Sequence, residues 1–252
     1  MKRVQLHLPV YLPEGVYWRL RKVRDARKGS IAAAGLAGDR EVEYTFIAGA
    51  LPHGPGKAMD FGCGPGFLSL LAAQRGFHVL SLDLEPQQFL WAHPLVEFRT
   101  ADILQVALPE NYFDVIVNCS AVEHVGLAAR YSVAEANANA DGDLHAMGRM
   151  RALLKPGGRM LLTIPCGRDS VFAPLHRVYG AERLPRLLEG FEVARQEYWK
   201  KDADNRWVLV NREEALSFMP TADYQHVIRC RYALGCFVLV RPIAVQSQGS
   251  GG

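Results

Sequence analysis

Asp60-Phe61-Gly62-Cys63-Gly64-Pro65-Gly66 stands between a short apolar run, Ala58-Met59, and Phe67-Leu-Ser-Leu-Leu-Ala-Ala73. The order reads as strand, glycine turn and helix. Glycine tolerates positive φ and carries no side chain, so the main chain at the helix N-terminus lies open to a ligand. A dinucleotide-binding loop would place a further glycine three residues after Gly64, where this chain has Phe67.

The pattern continues downstream. Phe77-His-Val-Leu-Ser-Leu-Asp83 is a buried-strand run ending in a carboxylate 17 residues beyond Gly66. At the carboxyl end of a second parallel strand, such a group can accept hydrogen bonds from both hydroxyls of a ribose. A third apolar run (Leu95, Val96, Phe98) precedes Asp102-Ile103, 19 residues after Asp83. Phe113-Asp-Val-Ile-Val-Asn118 reads as a fourth strand. Leu153-Leu-Lys-Pro156-Gly-Gly158 and the run to Ile164 read as a helix end, a tight turn and a fifth strand. Taken singly, each has a plainer meaning: an Asp at a strand end commonly caps a helix, and Lys-Pro-Gly-Gly is turn chemistry.

Together, and in this order over residues 57–164, these elements resemble class I S-adenosyl-L-methionine (SAM) dependent methyltransferases. The resemblance implies a Rossmann-like α/β fold: a seven-stranded, mostly parallel sheet with its last strand antiparallel, helices on both faces, and N-terminal lid helices. It implies SAM as cofactor, with Asp60, Gly62, Gly64 and Gly66 at its methionyl portion and Asp83 with Leu84 at the ribose. Asp102 and Ile103 would take the adenine, and Asn118 would lie beneath the sulfonium. The implied division is a lid segment (1–56), a methyltransferase domain (57–242) and a flexible tail (243–252).

Composition agrees with one domain plus a lid: 252 residues, 49% hydrophobic and 22% charged. A net charge of +3 and one basic stretch, residues 15–28, are thin support for a nucleic-acid partner, and none is expected. Cysteines 63, 119, 166, 230 and 236 form no C-x-x-C pair, which suggests reduced thiols and a cytoplasmic setting. No run of 18 apolar residues exists to span a membrane, and His7, Pro9 and Pro13 break up any signal-peptide core. The expected partner is a small-molecule acceptor, and the chain is expected to be a monomer or homodimer.

Ligands of open α/β sheets bind beyond the carboxyl ends of the strands. The reacting groups should therefore follow strands four and five. Two clusters do: Asn118-Cys-Ser-Ala-Val-Glu123-His124 and Leu175-His176-Arg177-Val-Tyr179. His124 is the first candidate base, because an imidazole with a pKa near ~6.5 is substantially neutral at cellular pH. His176 is the rival catalytic residue. Glu123, Arg177 and Tyr179 are candidate acceptor contacts, with Arg177 suited to clamp a carboxylate or phosphate. The other reading of the second cluster is hydrogen bonding that fastens the loop. Metal-dependent members of the superfamily use E-x-x-E-H; Ser120 replaces the first Glu, and no metal is expected. Asp141 and Asp143 are expected to cap the helix before the fifth strand, whose buried stripe would be Leu144, Met147, Met150 and Leu154. Residues 123–139, rich in Ala and Asn, read as a mobile loop.

Val122-Glu-His-Val-Gly, Asp141-Gly-Asp-Leu and His176-Arg-Val-Tyr-Gly resemble a branch of bacterial methyltransferases accompanying polysaccharide or secondary-metabolite biosynthesis. That resemblance implies O-methylation of a sugar-like or secondary-metabolite hydroxyl. The alternatives are N-methylation of a small amine and a non-catalytic SAM-binding subunit.

Overall fold

Period-two alternation along the strands sorts their side chains onto the two faces of one sheet. On β1 (Gly56–Phe61), Ala58 enters one buried cluster and Met59 the other. The computed structural model describes residues 39–129, 131, 133–134, 138–224 and 231–243. The basic stretch 15–28, Cys230, the tail from 244 and parts of the loop 123–139 lie outside the described residues. Helix α1 (Asp39–Ala50) precedes β1, and α2 (Phe67–Gln74), β2 (Phe77–Asp83), β3 (Val96–Thr100) and β4 (Phe113–Cys119) follow it. Next come α3 (Gly142–Leu153), β5 (Leu154–Cys166), β6 (Ser170–Phe172), β7 (His176–Val178) and α4 (Arg183–Leu187). The chain ends through β8 (Glu192–Lys201), β9 (Trp207–Val210), α5 (Arg212–Ser217) and β10 (Ala233–Val240).

The main sheet runs β3-β2-β1-β4-β5-β10-β8-β9. Strands β1 to β5 pair in parallel, and β10 inserts antiparallel between β5 and β8. The expected arrangement is therefore present, but among the described residues the sheet has eight strands rather than seven. The extra strand is β9, which folds back on β8 through a turn in which the Asp202 carboxylate accepts from the N–H groups of Asp204 and Arg206. Strand order reverses between β1 and β4. This is the switch point, where the loops leaving two neighbouring strands diverge and open a crevice.

Helices cover both faces. Val42, Phe46 and Ile47 of α1 and Leu68, Ala72 and Ala73 of α2 pack on Ala58, Val79, Val115, Val117 and Leu161. On the other face Ala146, Met147, Met150 and Leu153 of α3 meet Met59, Leu82, Ile116 and Leu162. Burying one such large apolar side chain is worth about 1.5–3 kcal/mol. The stripe of α3 differs from expectation. Met147 and Met150 are buried, but Leu144 is only partly covered and Leu154 already belongs to β5. The Lys155-Pro-Gly-Gly158 turn is a bulge within β5: pairing jumps from Phe113↔Leu154 to Val115↔Arg159, with Gly157 at φ 78. No described helix is long and apolar enough to cross a membrane.

Candidate active site

Gly62, Gly64 and Gly66 all adopt positive φ, at 68, 49 and 78. Their surroundings differ. A Cβ on Gly62 would lie 2.4 Å from that of Ala121, because the loops leaving β1 and β4 touch there. A Cβ on Gly66 would meet Trp91 at 2.7 Å, beneath the stacked Phe89–Trp91 pair. A Cβ on Gly64 would meet nothing within 4 Å among the described residues, so that side of its main chain is open. The Gly64 N–H donates to Asp83 Oδ2 at 3.0 Å, and the Glu85 N–H donates to Oδ1 at 3.0 Å. The loop and the carboxylate at the end of β2 are thus one hydrogen-bonded unit.

Behind the loop, Asp60 is buried and accepts from Ser69 Oγ at 2.6 Å, which in turn accepts from Ser81 Oγ at 2.7 Å. Burial pushes the Asp60 carboxyl up to about 6, against the hydrogen bonds from Ser69. A folded-state pKa above the unfolded value favours the folded protein at low pH, and the advantage is lost as pH rises from about 4 through about 6. Asp60→Asn is therefore expected to gain on wild type by on the order of 2–3 kcal/mol between pH 4 and pH 7. Urea midpoints of both proteins across that range check it, and parallel curves would refute the assignment.

The remaining candidate cofactor residues are spread along the same edge. Leu84 is exposed next to Asp83. Asp102 uses Oδ1 to accept the Leu104 N–H at 2.9 Å, and Ile103 is buried in the core cluster instead of lying open beside it. Asn118 is buried; its Oδ1 accepts the Val122 N–H at 3.3 Å and so shapes the short 3-10 turn Val122–His124.

On that turn His124 places Nδ1 2.6 Å from the Leu175 carbonyl and Nε2 3.8 Å from the carboxylate of buried Glu123. His176 is buried, with its ring edge-on to Tyr232 at 5.4 Å. Tyr232 OH donates to Asp39 Oδ2 at 2.5 Å. One turn further along α1, the fully buried Glu43 accepts from Arg40 Nη1 at 2.8 Å, from Thr163 Oγ1 at 2.9 Å and from Ser120 Oγ. His124 thus meets Leu175, His176 meets Tyr232, Tyr232 meets Asp39, and Glu43, one turn on from Asp39, meets Ser120, a run of contacts at the carboxyl ends of β4 and β5. A cavity of about 250 Å³ opens next to Tyr232, lined also by Asp39, Lys201, Trp207, Phe218 and Arg231. Sequence reasoning missed Asp39, Glu43 and Tyr232. Only Glu43 carried a signal: a carboxylate one helical turn before Phe46 and Ile47, on the apolar face.

Arg177 and Tyr179 face inward, not toward an acceptor. The Arg177 guanidinium is 1% exposed and donates to the carbonyls of Glu123 (3.2 Å), Val125 (2.7 Å), Asn139 (3.1 Å) and Ala140 (3.2 Å). Tyr179 OH donates to Asp143 at 3.0 Å, and burial together with that carboxylate pushes its phenol well up. Both fasten the loop, so the acceptor-clamp expectation gives way to its alternative. The cap expectation is corrected as well. No side chain caps α3, because Asp143 is taken by Tyr179 and Arg183, and Asp141 by Arg183 at 3.1 Å. Among the described residues, no group of three or more His, Cys, Asp or Glu is placed to hold a metal ion.

Residues 95–229 match the model of a family described as "Caenorhabditis protein of unknown function, DUF268". The chain belongs to the DUF268 family. The DUF268 match begins beyond the glycine loop, at residue 95. Over 147 residues the DUF268 chain is 29% identical to a "Probable S-adenosylmethionine-dependent methyltransferase" of Mycolicibacterium smegmatis, covering 54% of this chain and 51% of that protein. Over 155 residues it is 31% identical to the ubiquinone biosynthesis O-methyltransferase of Xylella fastidiosa, covering 58% and 56%. The DUF268 chain thus spans about half the length of the curated relatives it matches. Among solved structures, the N-methyltransferase NodS of Bradyrhizobium japonicum, in complex with S-adenosylhomocysteine, aligns with a TM-score of 0.55 at 16% identity, covering 83% of this chain and 90% of that one. The DUF268 chain has the Rossmann-like fold of class I SAM-dependent methyltransferases.

Proposed function

We propose that this protein is a SAM-dependent methyltransferase acting on a small molecule, transferring the methyl group to a hydroxyl of a sugar-like or secondary-metabolite acceptor. One observation carries the reading: an open glycine at positive φ, Gly64, whose N–H is bonded to the acidic residue ending the neighbouring strand. A side chain at Gly64 would fill the space that the loop leaves bare, so the residues present fit an adenosyl ligand. The main chain of Gly62 to Gly66 beside Asp60 would hold its methionyl portion. Asp83 with Leu84 would hold the ribose and Asp102 the adenine, with buried Ile103 backing that end of the site from the core; Asn118 would complete the site. When bound, SAM supplies an electrophilic methyl group on a sulfonium.

The chain's own task is to align the acceptor and exclude water, which can lower a barrier by ~7–11 kcal/mol. The region bounded by Ser120, His124, Tyr232 and Glu43 is the proposed acceptor chamber, with Glu123 beside it and His176 in its wall. Within it, the acceptor's hydroxyl proton passes to Nε2 of His124. Residues 1–56 are the proposed lid segment and 57–242 the proposed methyltransferase domain; the described part of the former, α1, contributes Asp39, Arg40 and Glu43. A cytoplasmic location and a monomeric or homodimeric state complete the proposal.

Calorimetry with SAM and S-adenosylhomocysteine tests the cofactor, and mass spectrometry of candidate acceptors tests transfer by the gain of one methylene. Absence of binding heat from well-folded protein would end the reading. His124→Gln is expected to lower turnover by about 10²–10⁴-fold with SAM affinity unchanged. Turnover close to wild type would remove His124 as base.

A further inference from the structure

We propose that Arg177 is a positioning residue for His124: its buried guanidinium fixes the carbonyls of the residues on either side of the histidine and thereby holds the imidazole as its Nδ1–H tautomer. The inference rests on the reading of His124 as a base. His124 ends a 3-10 turn of three residues, Val122–His124, an element too short to hold a side chain in one place by itself. The hold comes from around β7. The Leu175 carbonyl, one residue before β7, lies 2.6 Å from Nδ1. A carbonyl only accepts, so Nδ1 carries the hydrogen and the basic lone pair belongs to Nε2. Arg177, two residues after Leu175, donates to the carbonyls of Glu123 and Val125, which flank His124 in the chain. Its other terminal nitrogen binds the carbonyls of Asn139 and Ala140 at the start of α3. The turn, β7 and α3 are therefore locked together through one planar donor group, a geometry that guanidinium offers and ammonium does not.

Stability alone is a poor account of this cluster. Arg177 Nε lies 3.7 Å from Asp143 Oδ1, and Asp143 is shared with Tyr179 and Arg183. Buried ion clusters of this kind are frequently no more stabilising than apolar side chains of the same volume. What an apolar residue at 177 could not supply is directed bonding to peptide groups 123 and 125. Rotation of those groups would carry the imidazole away from the Leu175 carbonyl and release the second tautomer.

The test uses the full chain labelled with ¹⁵N-histidine and long-range ¹H–¹⁵N spectra, with the His124 signals identified by their loss in His124→Gln. Wild type is expected to show a protonated, pyrrole-type Nδ1 and a pyridine-type Nε2. In Arg177→Met, and in Arg177→Lys, whose single ammonium cannot serve four carbonyls, that pattern is expected to collapse into a mixture of both tautomers. Arg183→Met, which leaves the carbonyls at 123 and 125 bonded, is expected to keep the wild-type pattern. A proton on Nε2 in wild type overturns the proposal. So does a folded Arg177 variant that keeps the wild-type pattern, or an Arg183→Met protein that loses it equally. Failure of both Arg177 variants to fold would assign the residue to stability and overturn it too. Failure of the base reading is seen separately, as His124→Gln retaining turnover, and leaves the tautomer measurement standing.

Discussion

Asp83→Ala is expected to weaken SAM binding by about 10²–10⁴-fold, from the loss of two charge-assisted hydrogen bonds at about 1.5–3 kcal/mol each. The two bonds are those its carboxylate would make to the ribose hydroxyls. The substitution also releases the Gly64 N–H, now donated to Oδ2 at 3.0 Å, so the loop loses the tie that presents its open glycine. Asp83→Asn separates these contributions. It keeps the shape and one acceptor oxygen but removes the charge, and about a tenfold loss is expected if charge supplies one of the two bonds' worth of affinity. Calorimetric titration of SAM into each folded variant decides the matter. An Asp83→Ala protein that binds within threefold of wild type, a change of about 0.7 kcal/mol, would show that the carboxylate is only a turn-closing group.

Why this loop could be read from sequence while the proposed acceptor chamber could not is a matter of range. Three glycines, an apolar run on each side and a carboxylate at the next strand end report on conformation within a few residues, where steric rules act directly. β9 escaped notice because Trp207 to Val210 is short and follows a polar turn, and only pairing with β8 makes it a strand. Asp141 and Asp143 satisfied a local capping rule that was overridden by Arg183, some 40 residues away, whose guanidinium is a stronger partner than a helix N–H. Asp39 and Tyr232 are 193 positions apart and meet only because α1 and the start of β10 converge on the same edge of the sheet. His124 was visible as a residue type beyond strand four, but its orientation depends on Leu175, 51 positions away. Local chemistry thus shapes the glycine loop, and long-range convergence determines which side chains line the proposed acceptor chamber.

Glu43→Ala is expected to destabilise the fold by about 2–4 kcal/mol, from leaving the Thr163 and Ser120 hydroxyls without their acceptor at about 1–3 kcal/mol for each group that stays buried. Glu43 is fully buried on α1, and its two oxygens gather Arg40 on one side and the hydroxyls of Ser120 and Thr163 on the other. Those hydroxyls come from the ends of β4 and β5, so the carboxylate couples the covering helix to the sheet at the proposed acceptor chamber. Ser120 holds a positive φ of 46, a conformation that costs a non-glycine residue energy and persists only where its surroundings impose it. Alanine would leave both hydroxyls without their acceptor and open a void beneath α1. Arg40 is half exposed and can turn to solvent, so the penalty falls on Ser120 and Thr163 more than on the arginine. Glu43→Gln retains one carbonyl oxygen for both hydroxyls and should cost about 1–2 kcal/mol. Urea unfolding of the two variants measures the difference, and an alanine variant within about 1 kcal/mol of wild type would refute the coupling. Because Glu43 touches none of Gly62, Gly64 or Asp83, the alanine variant should keep wild-type SAM affinity at temperatures where it is folded. Its loss should appear instead in turnover, as the helix proposed to enclose the acceptor comes away from the ends of β4 and β5.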